Sequence, residues 1–431
     1  MLVEFSVKNY KTFESEAKIS FVASKYYAER IEDNVTDFPK FDLKLLKSAV
    51  IYGANASGKS KLFDSMDFAK RFILSSAKDS QINEPIQVDS FRLNSATIKA
   101  PSVFEIIFIH KNEMYRYGFE VTPQKVVTEW LYHRPNSKEI ELFFRDEQHF
   151  EIHPTKFKVK DLIANNRIRP NALMLSAAAA WNDQLASTVL SWVKDNFNII
   201  SGLKEENYIG YSIGKLKDTT TKNEILKLIK NADLGIDDIT PQILEADNLP
   251  KALPKELRRM LEKKILEDGE EIISGDVITA HKKFDSNKEE TEPTIFSMEK
   301  DESMGTKKYF ALSGPILETL KKGEVLVIDE LDAKLHPNLT HKIIGLFNSK
   351  TKNPLNAQLL FNTHDTNLLD PNLFRRDQIW FTEKDRYGAA SLYSLSDIKG
   401  VRKEDPLEKN YIAGKYGAIP FLGDFDKLFN V

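Results

Sequence analysis

The sequence predicts an α/β fold, in which a sheet with a central parallel layer and a phosphate-binding loop is joined by an antiparallel β sub-sheet and split by a mostly helical insertion. Three observations predict it. An apolar run at residues 48–52 enters a Gly-containing loop and then a helical stripe of Leu62, Phe63, Met66, Ala69, Phe72 and Ile73. A second apolar run, residues 325–328, ends in Asp329 and Glu330 and precedes a helical stretch and the strand QLLFNTH. Between them VFEIIFIH, MYRYGFEV, EWLYH, ELFFR and FEIH alternate as an antiparallel meander does. Strand, loop and helix early, then strand, helix and strand late, make one sheet whose motif-bearing halves are far apart in the chain.

The remaining elements follow in order. Residues 1–24 alternate as two strands through Leu2, Phe5, Val7, Ile19, Phe21 and Val22. Residues 171–200 have a helical pattern, with Trp181 after AAAA expected as helix-packing core. Residues 204–270 are polar and helix-rich, with ELRRMLEKKILEDG as an amphipathic helix. KKFDSNKEETEP, from Lys282, is charged enough to be a turn or mobile linker. TIFSM is a strand, residues 306–320 and 337–349 are helices, and QIWFTEK with ASLYSL forms a closing hairpin. The implied parts are a first lobe at 1–165, a helical insertion at 166–290, a second lobe at 291–398 and a tail at 399–431.

A chain of 431 residues suits one large domain with insertions, or two domains. Its 61 Lys+Arg against 64 Asp+Glu give a net charge of -3, so no global basic excess advertises nucleic acid, although a local patch stays open. Cysteine is absent from the sequence, which excludes disulfides, thiolate metal sites and a Cys nucleophile. The opening MLVEFSVKNYKTF lacks an apolar signal core and no run is long enough to span a bilayer, so a cytoplasmic protein with no membrane partner is expected.

Gly53, Ala54, Asn55, Ala56, Ser57, Gly58, Lys59 and Ser60 match G-x-x-x-x-G-K-S/T in full, and Lys61 follows. Successive backbone N–H groups and a helix N-terminus make an anion site there, with about half a positive charge from the helix dipole. Lys59 would reach the β- and γ-phosphates of ATP, and Ser60 would hold Mg2+. Asp329, at a strand end, would join Ser60 on Mg2+, and Glu330 would activate the attacking water. Glu302, Ser303, Met304, Gly305 and Thr306 precede a helix; alone they make an ordinary N-cap, or else a second anion corner. His149 and His153 fall in a strand, where i, i+4 spacing does not share a face, so solvent-exposed imidazoles are expected. The basic pairs Arg258–Arg259, Lys263–Lys264 and Lys282–Lys283 suit a solvated face better than DNA contact.

With G-x-N-x-x-G-K-S, ESMGT, an acidic strand and ELDAKLHP in one chain, the sequence resembles the ABC-type ATPases of the SMC and RecF branch. More narrowly, ESMGTKK, DELDAKLHP, FNTHDTNLLD, RRDQIWFTEKD and YIAGKYGAIPFLG are similar to RloA-like proteins, relatives of the OLD-family ATPases of bacterial anti-phage systems. The resemblance covers nearly the whole chain. It implies an ABC-ATPase P-loop fold and a homodimer, or higher homo-oligomer, that clamps ATP. In that scheme Ser303, Gly305 and Thr306 act as the signature on the opposite copy's nucleotide, Asp332 is the D-loop residue and His364 the switch histidine. It departs in ESMGT, where LSGGQ is common, and in the Q-loop, for which Gln124 and Gln184 are weak candidates. The stretch after His364 is too short for the Toprim nuclease of OLD proteins, so a Toprim-like nuclease or toxin is expected as a separate chain. The expected function is an ATP-driven sensor for that effector; a RecF-like ATPase acting on DNA and a scaffold that barely hydrolyses ATP are the alternatives.

Overall fold

The computed structural model describes residues 1–78, 81, 83–157, 159–244, 249, 254–266 and 272–420. Residues 421–431, the end of the expected tail and of YIAGKYGAIPFLG, lie outside the described residues, as does the end of ELRRMLEKKILEDG. The chain divides into two compact units: Met1–Ser201, Thr319–Asp332 and Thr340–Val431, and Gly202–Glu318 with Ala333–Leu339.

The first unit holds a six-stranded sheet in the order Phe197–Ser201, Val325–Asp329, Gln358–Asn362, Ser48–Gly53, Ile379–Lys384, Ala390–Ser394. Neighbouring strands pair in parallel, except the last pair, which is the expected hairpin. The central strands are continuous apolar runs because both faces are covered; Ser48–Gly53 and Gln358–Asn362 are buried at every position. Register runs from Ile328 to Phe361, from Phe361 to Val50, and from Val50 to Ile379, so four parallel strands end on one edge.

A seven-stranded antiparallel sheet joins Leu2–Lys8 and Ala17–Ser20 to the meander from Ser102–His110 to His149–Ile152. It is a sheet of its own rather than an edge of the parallel one. Phe104, Ile106 and Phe108 point inward and alternate with less buried neighbours, as a one-sided sheet requires. The helix Lys59–Ser75 packs its stripe against that face, with Phe68 and Phe104 centroids 5.0 Å apart and Phe72 and Phe119 5.6 Å apart. Leu62, Phe63 and Met66 share one core with Phe119, Val325 and Leu360, so this helix ties both sheets together.

Three local expectations change. Residues 171–200 form helices Met174–Ala180 and Gln184–Ser191, but Phe197–Ser201 is a strand paired with Val325–Asp329. Five residues are too few for periodicity to separate helix from strand, and pairing with a distant strand decides. Trp181 is exposed rather than core: it follows the last turn of its helix and carries the Arg167 guanidinium on its ring at 4.4 Å. The charged segment from Lys282 forms the ends of two paired strands, Ile272–Phe284 and Glu290–Ser297, joined by a turn at 285–289. Solvated strands carry no apolar alternation, so the sequence pattern hides them.

The second unit carries helices Ile209–Lys215, Thr219–Asn231 and Lys255–Leu266, and beside them a three-stranded sheet of Ile236–Leu244 with that hairpin. The long helix Met304–Lys322 contains Pro315, which has no N–H to give the Ala311 carbonyl. The Ser212 hydroxyl donates to that carbonyl at 2.6 Å instead. Among the described residues, no helix is long and apolar enough to cross a membrane.

Candidate functional site

The phosphate loop follows strand Ser48–Gly53 and leads into helix Lys59–Ser75, the context its mechanism needs. A Cβ on Gly53 would lie 2.5 Å from both the Ser57 Oγ and the Thr382 carbonyl oxygen, so the tight loop admits only hydrogen there. Gly58 has φ +116, left-handed backbone that side chains rarely adopt. Ser57 Oγ and Thr382 Oγ1 share a hydrogen bond of 2.6 Å, which pins the loop to the neighbouring strand. Asn55, Ala56 and Lys61 are exposed, while Ser60 is partly buried.

Lys59 is nearly buried, and its Nζ donates to the Gly53 and Ala54 carbonyls at 2.7 and 3.1 Å. The lysine thus folds onto its own loop. Burial lowers its ammonium to about 8, opposed by Glu330, Asp329 and Asp332. The unfolded chain binds that proton more tightly, so stability rises with pH from about 8 up to the ordinary lysine value. Phosphate oxygens favour the charged form, so above pH about 8 a phosphate ligand on Lys59 would take up a proton. Affinity for such a ligand would therefore fall as pH rises through that value, toward about tenfold per pH unit. Calorimetric titration in two buffers of different ionisation enthalpy would show the uptake, and Lys59→Met would lose the slope.

The acidic strand end arrives from a different part of the chain. Asn362, at the end of the adjacent strand, joins its two carboxylate residues. Its Nδ2 donates to Asp329 Oδ1 at 2.5 Å, and its Oδ1 accepts from the Glu330 N–H at 2.6 Å. Glu330 has φ +60, a left-handed conformation costing a non-glycine residue on the order of 1–2 kcal/mol, and the Asn362 bond holds it there. Asp332 Oδ2 accepts from the His364 N–H at 3.3 Å, while its Oδ1 is buried with no hydrogen-bond partner. The His364 imidazole is held below its usual value by desolvation and by Lys59, opposed by Asp332 and Glu330. It is therefore mostly neutral at pH 7, with one nitrogen to donate and one to accept.

A cleft of about 350 Å3 brings these groups together: Thr12, loop residues 55–61, Glu330, His364 and Lys384 line it. Ser60 and Asp329 offer only hard oxygen donors, the set that suits Mg2+. Gln124 and Gln184 are exposed and do not line the cleft. Sequence reasoning missed Asn362, Thr12, Thr382 and Lys384. For Asn362 a signal existed, a polar amide ending an apolar strand just before His364; for the others none did.

Ser303, Gly305 and Thr306, the expected signature, belong to the second unit. Ser303 Oγ accepts from the Thr306 N–H at 3.1 Å and shares a hydrogen with the Thr306 hydroxyl at 2.9 Å, so Ser303 caps helix Met304–Lys322. Glu302, just before it, accepts from the Thr279 hydroxyl at 2.7 Å and meets His281 at 2.6 Å. A Cβ on Gly305 would lie 2.9 Å from the Lys334 carbonyl oxygen, so glycine lets the helix start press against the turn at 333–334.

Residues 48–370 match the family described as "AAA domain, putative AbiEii toxin, Type IV TA system". Similar solved structures include the SMC head domain from Thermotoga maritima, at 11% identity and TM-score 0.40, covering 91% of this chain and 98% of that one. An Smc head bound to the C-winged helix domain of ScpA gives 14% and 0.43 over 91% and 97%. An Smc head with an extended coiled coil, bound to the C-terminal domain of ScpA derived from Pyrococcus furiosus, gives 15% and 0.31 over 91% and 96%. No curated protein matches the chain.

Proposed function

The chain belongs to this AAA-domain family of P-loop ATPases, and from that premise we propose that it binds and hydrolyses ATP at the phosphate loop, in a site completed by a second copy of itself. The supporting observation is that Lys59, Glu330 and His364 meet in one cleft although they come from three distant segments. The loop N–H groups and Lys59 would bind the β- and γ-phosphates once Lys59 leaves the Gly53 and Ala54 carbonyls. Ser60 and Asp329 would hold Mg2+, which neutralises charge on the phosphate oxygens. Glu330 would take a proton from the attacking water, and neutral His364 would hydrogen-bond the γ-phosphate. Ser303, Gly305 and Thr306 would cap that phosphate from the second copy, with Asp332 bordering the joint. ATP binding then favours the closed pair and hydrolysis releases it.

At the finer level the pair is a nucleotide-dependent switch for a separately encoded effector, a Toprim-like nuclease or toxin, in anti-phage defence. The family description, which names a toxin and a Type IV TA system, supports this setting. The second reading is a RecF-like ATPase acting on DNA. It is favoured by helix Lys255–Leu266, which buries none of its residues and carries Arg258, Arg259, Lys263 and Lys264.

Turnover measured across a wide range of protein concentration, with and without duplex DNA, separates these readings. Turnover per molecule that rises with concentration and ignores DNA supports a pair awaiting a protein trigger. A rate per molecule independent of concentration removes the second copy from the site. Strong stimulation by DNA, weakened by salt, moves the protein to the repair reading.

A further inference from the structure

The segment YIAGKYGAIP takes no part in the chemistry above, yet it walls a second cleft beside the phosphate loop. This cleft, about 810 Å3, lies between loop residues 53–57 and Tyr411, Ile412, Ile419 and Pro420. Two ties reach the nucleotide machinery from the start of this segment and the residues just before it, both on one short helix, Leu407–Ile412. The Thr366 hydroxyl, two residues beyond His364, donates to Glu408 Oε1 at 2.8 Å. The buried Tyr411 ring stacks on Phe381 at 5.4 Å and leans on Tyr52, the residue before Gly53, at 5.6 Å. Its hydroxyl donates to the Ala418 carbonyl at 3.0 Å, and burial raises it to about 12, opposed by the facing Gly53 N–H. Tyr52 closes the circuit by donating to the Asp365 carbonyl at 3.2 Å.

Building on the ATPase reading, we propose that Tyr411 and Glu408 are positioning residues of the nucleotide site, Tyr411 for the entry of the phosphate loop and Glu408 for the turn after His364. They stand three residues apart, so one helix face addresses both. Gly53 stands between the two: its carbonyl receives the Lys59 ammonium and its N–H faces Tyr411. Tyr411 and Lys59 thus meet the same residue from its two backbone atoms. The segment is held close to the strand Ala390–Ser394. A Cβ on Gly417 would lie 2.6 Å from the Tyr393 hydroxyl, which itself donates to the Tyr416 carbonyl at 2.8 Å.

The test compares the full chain with Tyr411→Phe, Glu408→Ala, Thr366→Val and Thr366→Ser, by fluorescent ATP-analogue binding, steady-state turnover and thermal unfolding. Tyr411→Phe, which keeps the ring and removes the hydroxyl, should weaken nucleotide binding about fivefold, the size of one lost hydrogen bond. Glu408→Ala and Thr366→Val should each lower kcat by about the same factor with KM unchanged, and Thr366→Ser should restore it. Variants that match wild type in affinity and kcat, and lose only thermal stability, would overturn the proposal and leave the ties structural. Wild-type protein that fails to bind ATP would instead overturn the ATPase reading beneath it. Binding without measurable turnover still leaves Tyr411→Phe to decide.

Discussion

Glu330→Gln lowers ATP turnover by about 10²- to 10⁴-fold, the usual contribution of a positioned general base, and leaves nucleotide binding intact. The substitution keeps the shape of the side chain and removes its charge and basicity. The surrounding geometry survives because it is held through the backbone: the residue-330 N–H still donates to Asn362 Oδ1, and the left-handed φ of +60 costs Gln no more than Glu. Asp329 keeps its bond from Asn362, so the proposed Mg2+ partner is undisturbed. Phosphate release under saturating ATP measures the loss, and fluorescent-nucleotide titration measures the binding. A variant that hydrolyses at the wild-type rate would remove Glu330 from the chemistry. One that also fails to bind ATP would mean that the carboxylate holds the site together rather than activating water. If the second-copy reading holds, the variant should also accumulate as a nucleotide-bound pair, visible by light scattering.

Arg145→Met destabilises the protein by about 3–5 kcal/mol, the cost of stranding one charge of a buried pair. Arg145 and Glu129 are both fully buried, 3.4 Å apart between Nη1 and Oε2. Glu129 accepts from the Tyr117 hydroxyl at 2.9 Å and from the Met174 and Leu175 N–H groups at 2.6 and 2.9 Å, at the start of helix Met174–Ala180. Arg145 in turn donates to the Ala172 carbonyl at 2.6 Å and to the Glu147 carbonyl at 2.7 Å. The pair therefore welds the helix to the meander strands Val126–Arg134 and Ile140–Asp146. Burial pushes the Glu129 carboxyl above its ordinary range, and Arg145 is the largest opposing influence. Without the arginine that rise is opposed only by the Tyr117, Met174 and Leu175 hydrogen bonds and grows, so Glu129 binds a proton more tightly folded than unfolded. The variant should then lose stability as pH rises through the raised value, a slope the parent shows more weakly. Denaturant melts at several pH values measure both effects. Adding Glu129→Gln to Arg145→Met should recover part of the loss, since the stranded charge is gone. A single variant as stable as the parent would show that the pair contributes nothing net.

Legibility in the sequence followed the range of the interaction. The phosphate loop was legible because eight contiguous residues carry it: glycines where a Cβ would clash or φ is left-handed, Lys59 and Ser60 at the helix start. Asp329 and Glu330 were legible as the end of a buried apolar strand. The meander was legible because one covered face imposes alternation, as Phe104, Ile106 and Phe108 show. In the solvated strand ends of 282–293 no such face exists, so the same rule predicts only a turn or linker there, and of these the turn at 285–289 is present.

By itself, then, the sequence determined the class of the sheet, the phosphate loop, the acidic strand end and the separation of the site's halves along the chain. All of these are written in local backbone sterics and burial. Only the tertiary structure decided which distant groups meet. It chose Phe197–Ser201 as a strand, set Asn362 between Asp329 and Glu330, pinned Ser57 to Thr382, and brought Glu408 and Tyr411 to the loop and the His364 turn. Each of these rests on a bond or ring contact between residues dozens to hundreds of positions apart, fixed by strand register and packing that no stretch of neighbouring residues encodes.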